Sequence, residues 1–549
     1  MKWWQKTIAY EIYPRSFYDT QGKGTGTLQG IIEKLPYLQS LHIGALWITP
    51  VFRSPMIDNG YDVADYTDID PMFGEMKDMD QLIQEGKKYD IRIVLDLVFN
   101  HTSDQCPWFL ESKKDRTNQY SDWYIWKDPK PDGSAPTNWR SIFGGSAWTY
   151  CKERNQYYLH TFAVQQPDLN WADAQVRKAL ADVANFWLDK GAGGFRMDAV
   201  TYIKKPEVFA DGPVDANDGM SAIHPLTANQ PGILDYLHEF KDRTVKGKDV
   251  FTVGEANGVE TDELPQWVGK DGVFDMIFSF DHVHVPLGKA EEWCYAPEWK
   301  LSELKQALNN IEKSTGEGWC PVFFENHDSP RSVNNFFTCE GSYADKAKAL
   351  GTVLLTMRGT PFMYQGEEIG MHNTAWDIHE YNDVSSYAQY QFALKEGFNE
   401  EEALAAVHRF SRDNARTPMQ WNSEVNAGFT SGKPWLKVSE DYQKINVEAE
   451  ETDNGSVLSW YRKLASIRQQ HEELISGSYE EIMAEDEQIF AYYRKDKTHT
   501  ALVLVNLSSQ PADFDPALTQ GFSVLVQCQK NQTGKLAPFG VLLLEKTNR

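Results

Sequence analysis

Four carboxylates stand where a folded chain gains nothing from having them. Asp96, Asp198, Glu255 and Asp328 lie in or just after short apolar runs. The runs are I-R-I-V-L-D-L-V-F (91–99), G-F-R-M-D-A-V (194–200), F-T-V-G-E-A-N-G (251–258) and F-F-E-N-H-D-S-P-R (323–331). Each reads as a buried β-strand, and a buried charge without a partner is costly. Such a set suits cleavage of a glycosidic bond, which needs a proton for the leaving oxygen and a carboxylate facing the anomeric carbon. Asp198 follows Arg196 by two residues, which puts both side chains on one strand face. A neighbouring guanidinium is expected to keep Asp198 ionised, as a nucleophile requires. Glu255 follows Gly254 and apolar residues, a setting that raises a carboxyl pKa and suits a general acid. His327 directly precedes Asp328, a pair fit to grip ring hydroxyls. Asn100 and His101 close the third strand, where His101 is expected to contact a hydroxyl.

Positioning four such groups demands alternating strands and helices. Strand patterns fall at 7–13, 45–50, 91–99, 193–199, 250–255, 276–281, 320–325 and 361–365, with helical patterns at 30–41, 77–89 and 176–189. Eight strands with helices between them predict a closed (β/α)8 barrel, its active site at the C-terminal ends of the strands. The barrel is expected to take residues 1–101 and 172–477, with a loop insertion at about 371–455 after the eighth strand. Residues 102–171 are too long for a structureless loop and are expected to form a small inserted domain. A period-two pattern at 488–494, 500–507, 522–527 and 539–545 predicts a β-sandwich-like C-terminal domain, 478–549.

Composition bounds the partners. The 549 residues carry a net charge of −25, which argues against nucleic acid and anionic membranes and weakly against a phosphorylated substrate. No signal-type segment opens the chain and no run approaches a membrane span. The six cysteines lack C-x-x-C spacing and read as free thiols in a reducing cytoplasm. The 18 Trp and 25 Tyr serve chiefly a large core, and some offer apolar faces to sugar rings. The expected form is a monomer or weak homo-oligomer acting on a small oligosaccharide.

The four segments together resemble the signature regions of the α-amylase-type glycoside hydrolases. Q-P-D-L-N (166–170), N-G-Y-D-V-A-D-Y (59–66), G-T-P-F-M-Y-Q-G-E-E-I-G-M (359–371) and R-D-N-A-R-T-P-M-Q-W (412–421) resemble the oligo-1,6-glucosidase subfamily in particular. The resemblance implies Asp198 as nucleophile, Glu255 as acid/base and Asp328 as transition-state stabiliser. It further implies Arg196, His101 and His327 around the first sugar, and Tyr61, Phe143 and Phe162 as apolar walls. Asp62 paired with Arg412 or Arg416 would bind the non-reducing end and close the pocket, making the enzyme exo-acting. The implied function is a retaining exo-α-glucosidase on terminal α-1,6 links of short substrates such as isomaltose, with α-1,4 links a further candidate. Sucrose isomerase or transglucosidase, α-1,4-glucosidase and trehalose-6-phosphate hydrolase are the alternatives.

Two positions depart from that pattern. The loop that binds calcium in many relatives reads D-T-Q-G-K-G-T-G-T (19–27). A single carboxylate beside an ammonium is a poor site for a hard cation, so no metal and no cofactor are expected, with Lys23 placed to pair with Asp19. Ala199 follows the nucleophile where relatives tend to carry Val or Thr, a loss of bulk that would loosen linkage preference.

Overall fold

The computed structural model describes residues 1–288 and 292–548. Its central sheet has eight strands: β1 Ile8–Ile12, β2 Ile43–Ile48, β3 Arg92–Val98, β4 Gly194–Asp198, β5 Phe251–Glu255, β6 Met276–Phe278, β7 Pro321–Val322 and β8 Thr360–Tyr364. They lie in the order β6-β5-β4-β3-β2-β1-β8-β7, the neighbour-to-neighbour order of a (β/α)8 barrel. β8 pairs in parallel with β1, Phe362 opposite Ala9. The apolar runs that predicted strands are buried on both faces, as parallel strands under helices must be. The intervening helices carry their own punctuation. Ala174–Lys190 starts on Asp173, whose side chain accepts from Gln175 N, and stops at Gly191 with φ 99°, a left-handed cap that glycine adopts without strain.

The chain forms two compact units. One comprises Met1–Leu46, Lys88–Ile91 and the residues from Phe280 on; the other comprises Trp47–Lys87 and Arg92–Ser279. The second unit holds β3 to β6. Between β3 and β4 it carries a three-stranded antiparallel sheet of Trp126–Lys127, Gln156–Leu159 and Trp148–Cys151. Beside it Trp139, Trp148, Leu159 and Ile223 form a separate buried cluster.

The first unit holds β1, β7, β8 and a C-terminal antiparallel sheet of β9 Ser478–Ile482, β10 Ile489–Lys495, β11 His499–Asn506, β12 Ser523–Cys528 and β13 Val541–Thr547. Alternate residues Ile489 and Ala491, Leu502 and Leu504, and Leu542 and Leu544 form its core, as a period of two requires. A short ladder of Ala512–Asp513 with Lys535–Leu536 adds Ala512 and Leu536 to that core. β9 was not among the expected strands, because S-Y-E-E-I is only half buried and has weak alternation. Among the described residues no helix is long and apolar enough to cross a membrane.

Two expectations about strand ends need correction. Asp96 lies inside β3, and β7 stops at Val322, so Asp328 sits beyond it in a turn. The apolar F-F-E-N that follows Val322 is buried without joining the sheet. Apolarity there reports burial, and burial does not require a ladder.

Candidate active site

In the second unit, β3, β4 and β5 lie side by side with Asp96 opposite Arg196 and Met197 opposite Gly254. Asp198 and Glu255, each the next residue, therefore close neighbouring strands. Arg196 reaches all three carboxylates. Its Nη1 donates to Asp96 at 2.8 and 3.0 Å and to Asp198 Oδ1 at 2.7 Å, and its Nη2 donates to Glu255 Oε2 at 2.7 Å. Trp47 Nε1 and the Tyr61 hydroxyl also donate to Asp96, at 3.2 and 3.0 Å. The guanidinium lies over both rings, 5.1 Å from Trp47 and 5.7 Å from Tyr61.

Burial pushes the Asp198 carboxyl well above its ordinary pKa. Arg196 opposes that rise, while Glu255 and Asp96 add to it. The expectation that Arg196 keeps Asp198 ionised is corrected here: one guanidinium is divided among three carboxylates, and burial outweighs its share. The apolar setting expected of Glu255 is polar instead, since its Oε2 accepts from Arg196 and from Ala199 N at 3.0 Å. Ala199 has φ 43°, a left-handed conformation in which a β-branched residue would be strained.

His101 is buried in the same unit. Its Nε2 lies 3.1 Å from the Tyr61 carbonyl and 3.1 Å from Gln166 Nε2, and its ring stands 5.3 Å from Phe162. Burial lowers its pKa against the pull of Asp168, which leaves the ring neutral. Phe143 packs 5.6 Å from Phe162 and is the more exposed of the two. Asp62 is buried in the loop before the Asp65–Ile69 strand. It accepts from Ser54 Oγ at 2.9 Å and from Ile57 N and Asp58 N at 3.0 Å each. Beneath His101, the Lys205 ammonium is buried and bonded to Asp168 at 2.6 Å, Asn100 Oδ1 at 2.8 Å and the Tyr202 carbonyl at 2.5 Å.

The first unit gathers the other predicted residues. His327 donates from Nδ1 to Glu11 at 2.6 Å, and its Nε2 lies 3.2 Å from Asp328 Oδ2. Burial opposes its charge, yet Asp328 and Glu11 push its pKa up to about 10, so the ring is an imidazolium. Asp328 Oδ1 accepts from Arg416 at 2.5 Å and from Arg412 at 3.3 Å. Against the desolvation that its neighbours impose, His327, Arg412 and Arg416 hold that carboxyl, 40% exposed at the side chain, well below the ordinary range. Arg412 is anchored by Asp383 at 2.6 Å, and Arg416 donates from Nε to the His327 carbonyl at 3.0 Å. Tyr13 stacks on the His327 ring at 6.1 Å.

Residue-by-residue reading missed Trp47, Glu11, Lys205 and Asp383. Glu11 carried a legible signal: it is a carboxylate inside the apolar run T-I-A-Y-E-I-Y, the same anomaly that marked Asp198. In the 19–27 loop, Asp19 spends its oxygens on Gln21 N, Gly24 N and the Thr430 hydroxyl, at 2.7, 2.7 and 2.6 Å. Lys23 is exposed, and among the described residues it forms no ion pair with Asp19. The loop is tight instead: Gly24 has φ 86°, and a Cβ there would lie 1.8 Å from the Lys433 carbonyl oxygen.

Three comparisons with known proteins bear on this arrangement. Residues 11–477 match the alpha-amylase catalytic domain family. The chain is 45% identical over 516 residues to the probable oligo-1,6-glucosidase 3 of Bacillus subtilis (strain 168), covering 93% of this chain and 92% of that one. It is 42% identical to the trehalose-6-phosphate hydrolase of the same organism, covering 93% and 91%. The crystal structure of the trehalulose synthase of Pseudomonas mesoacidophila MX-45 superposes with a TM-score of 0.92 at 37% identity, covering 99% of each chain.

Proposed function

Because the chain belongs to the alpha-amylase family of glycoside hydrolases, we propose that it is a retaining, exo-acting α-glucosidase removing terminal α-1,6-linked glucose from short oligosaccharides such as isomaltose. The observation that carries this reading is the pair Asp198 and Glu255, which close neighbouring strands and both accept from the one guanidinium of Arg196. In this reading Asp198 attacks the anomeric carbon, and Glu255 protonates the leaving oxygen and then activates water. Asp328, ionised by its three cations, stabilises the oxocarbenium-like charge. Arg196 positions the first two groups. His101, His327, Tyr61, Phe143 and Phe162 line the first sugar, and Asp62 with Arg412 or Arg416 binds the non-reducing end. The six free cysteines accord with a cytoplasmic enzyme that acts on soluble sugars and binds neither membrane nor nucleic acid.

The test is a kinetic panel of isomaltose, maltose, sucrose, trehalose, trehalose 6-phosphate and p-nitrophenyl α-glucoside, with the first product followed by NMR. Isomaltose should give the highest kcat/KM and release α-glucose, and Asp198→Asn should bind substrate while losing nearly all turnover. β-Glucose as first product would refute retention. Preference for trehalose 6-phosphate, or conversion of sucrose to an isomer without glucose release, would replace the substrate assignment with the activity named for one of the relatives.

A further inference from the structure

Outside the catalytic machinery, the first unit brings two histidines and two carboxylates onto one buried glutamate. Glu473 is 1% exposed and belongs to the short helix Glu472–Ser476. His471 precedes that helix, Glu545 comes from β13, Asp496 comes from the turn joining β10 to β11, and His499 opens β11. His471 Nδ1 lies 3.0 Å from Glu473 Oε1 and 2.9 Å from Glu545 Oε1. One ring N–H cannot serve two carboxylates fully. Asp496 spends Oδ1 on Thr498 and His499 N and keeps its other oxygen. The ligand atoms of His471, Glu473 and Glu545 lie within 4.8 Å of one another, as do those of Glu473, Asp496 and His499.

We propose that Glu473 is the hub of a zinc-binding site completed by His471 and Glu545 on one side and by Asp496 and His499 on the other. Three carboxylates facing two imidazoles leave an excess of acceptors that a dication neutralises. Mixed imidazole and carboxylate ligands select a zinc-class ion over calcium or magnesium, which take oxygen ligands. Metal–ligand bonds of about 2 Å hold ligand atoms roughly 3–4 Å apart; His471 Nδ1 already lies 3.0 and 2.9 Å from its two carboxylates, and the remaining ligand atoms draw in by side-chain rotation. The ion binds each imidazole through the lone pair of a ring nitrogen, whose N–H then sits on the other nitrogen. It would tie the end of the last barrel helix to the β10–β11 turn and to β13, so its role is to hold the C-terminal sheet rather than to perform chemistry.

The experiment uses the full chain without a histidine tag, stripped of metal by a chelator and titrated with Zn2+. Zinc at about 100 times its Kd should favour the folded state about 100-fold and raise Tm, and Mg2+ should not. His471→Ala and His499→Ala should each lose most of the shift while keeping isomaltose turnover. A wild-type Tm indifferent to zinc, or an equal shift in both variants, would overturn the site. Should a variant fail to fold, Co2+ substitution of the wild type decides: a visible spectrum of imidazole-ligated cobalt supports the site, and its absence refutes it.

Discussion

Replacing Glu11 by Gln removes one charge from a buried pair and leaves its hydrogen-bonding shape in place. Glu11 and His327 are each 2% exposed at the side chain, so solvent screens their interaction little. Raising the imidazole from 6.5 to about 10 corresponds to roughly 5 kcal/mol of preference for the charged ring, at about 1.4 kcal/mol per pH unit. Burial works against that preference, and Asp328 contributes more to it than Glu11 does. A share of roughly 2 kcal/mol for Glu11 lowers the His327 pKa in Glu11→Gln by about one to two pH units. The sign follows from linkage. A histidine whose folded-state pKa is raised stabilises the fold fully below its ordinary pKa and loses that stability as pH rises through the folded value. The wild type should therefore lose this contribution progressively above pH 6.5 and have none left above about pH 10, and Glu11→Gln should have none left from a pH about one to two units lower. NMR titration of the His327 ring gives the pKa directly, and Tm and kcat/KM measured from pH 7 to 11 give the consequences. An unchanged ring pKa in Glu11→Gln would show that Asp328 alone holds the imidazolium.

Lys205→Met should cost about 3–5 kcal/mol, because it leaves the Asp168 carboxylate buried without its ammonium partner; thermal or denaturant unfolding reads the loss, and a change below about 1 kcal/mol would mean that other groups hold Asp168. Asp62→Ala should lower kcat/KM on isomaltose by roughly 3 kcal/mol of transition-state stabilisation, whereas endo-cleavage of long dextran by the wild type would refute the exo-acting pocket. Adding Ca2+ should leave Tm unchanged, because both Asp19 oxygens already accept hydrogen bonds inside the loop. Lys23→Asp with Thr27→Asp should create calcium-dependent stability, and failure to do so would show that the loop's tight backbone excludes the ion.

The sequence by itself determined the barrel and marked the carboxylates proposed here to react. Strand and helix periods are local, and a carboxylate in an apolar run is an anomaly visible without coordinates. For the same reason Arg196 beside Asp198, and His327 beside Asp328, were legible as working pairs. Tertiary structure decided how charge is distributed. Whether Arg196 ionises Asp198 depends on how many carboxylates share it, and Asp96 and Glu255 arrive from neighbouring strands 100 and 59 residues away in the chain. Glu11 reaches His327 from 316 residues away, a pairing no spacing rule could supply. Lys23 stood next to Asp19 on paper, yet backbone N–H groups and Thr430 took the carboxylate first. Local pattern fixes which groups are present and which face they share; the pKa of each is set by the sum of long-range neighbours and burial, and only the folded chain computes that sum.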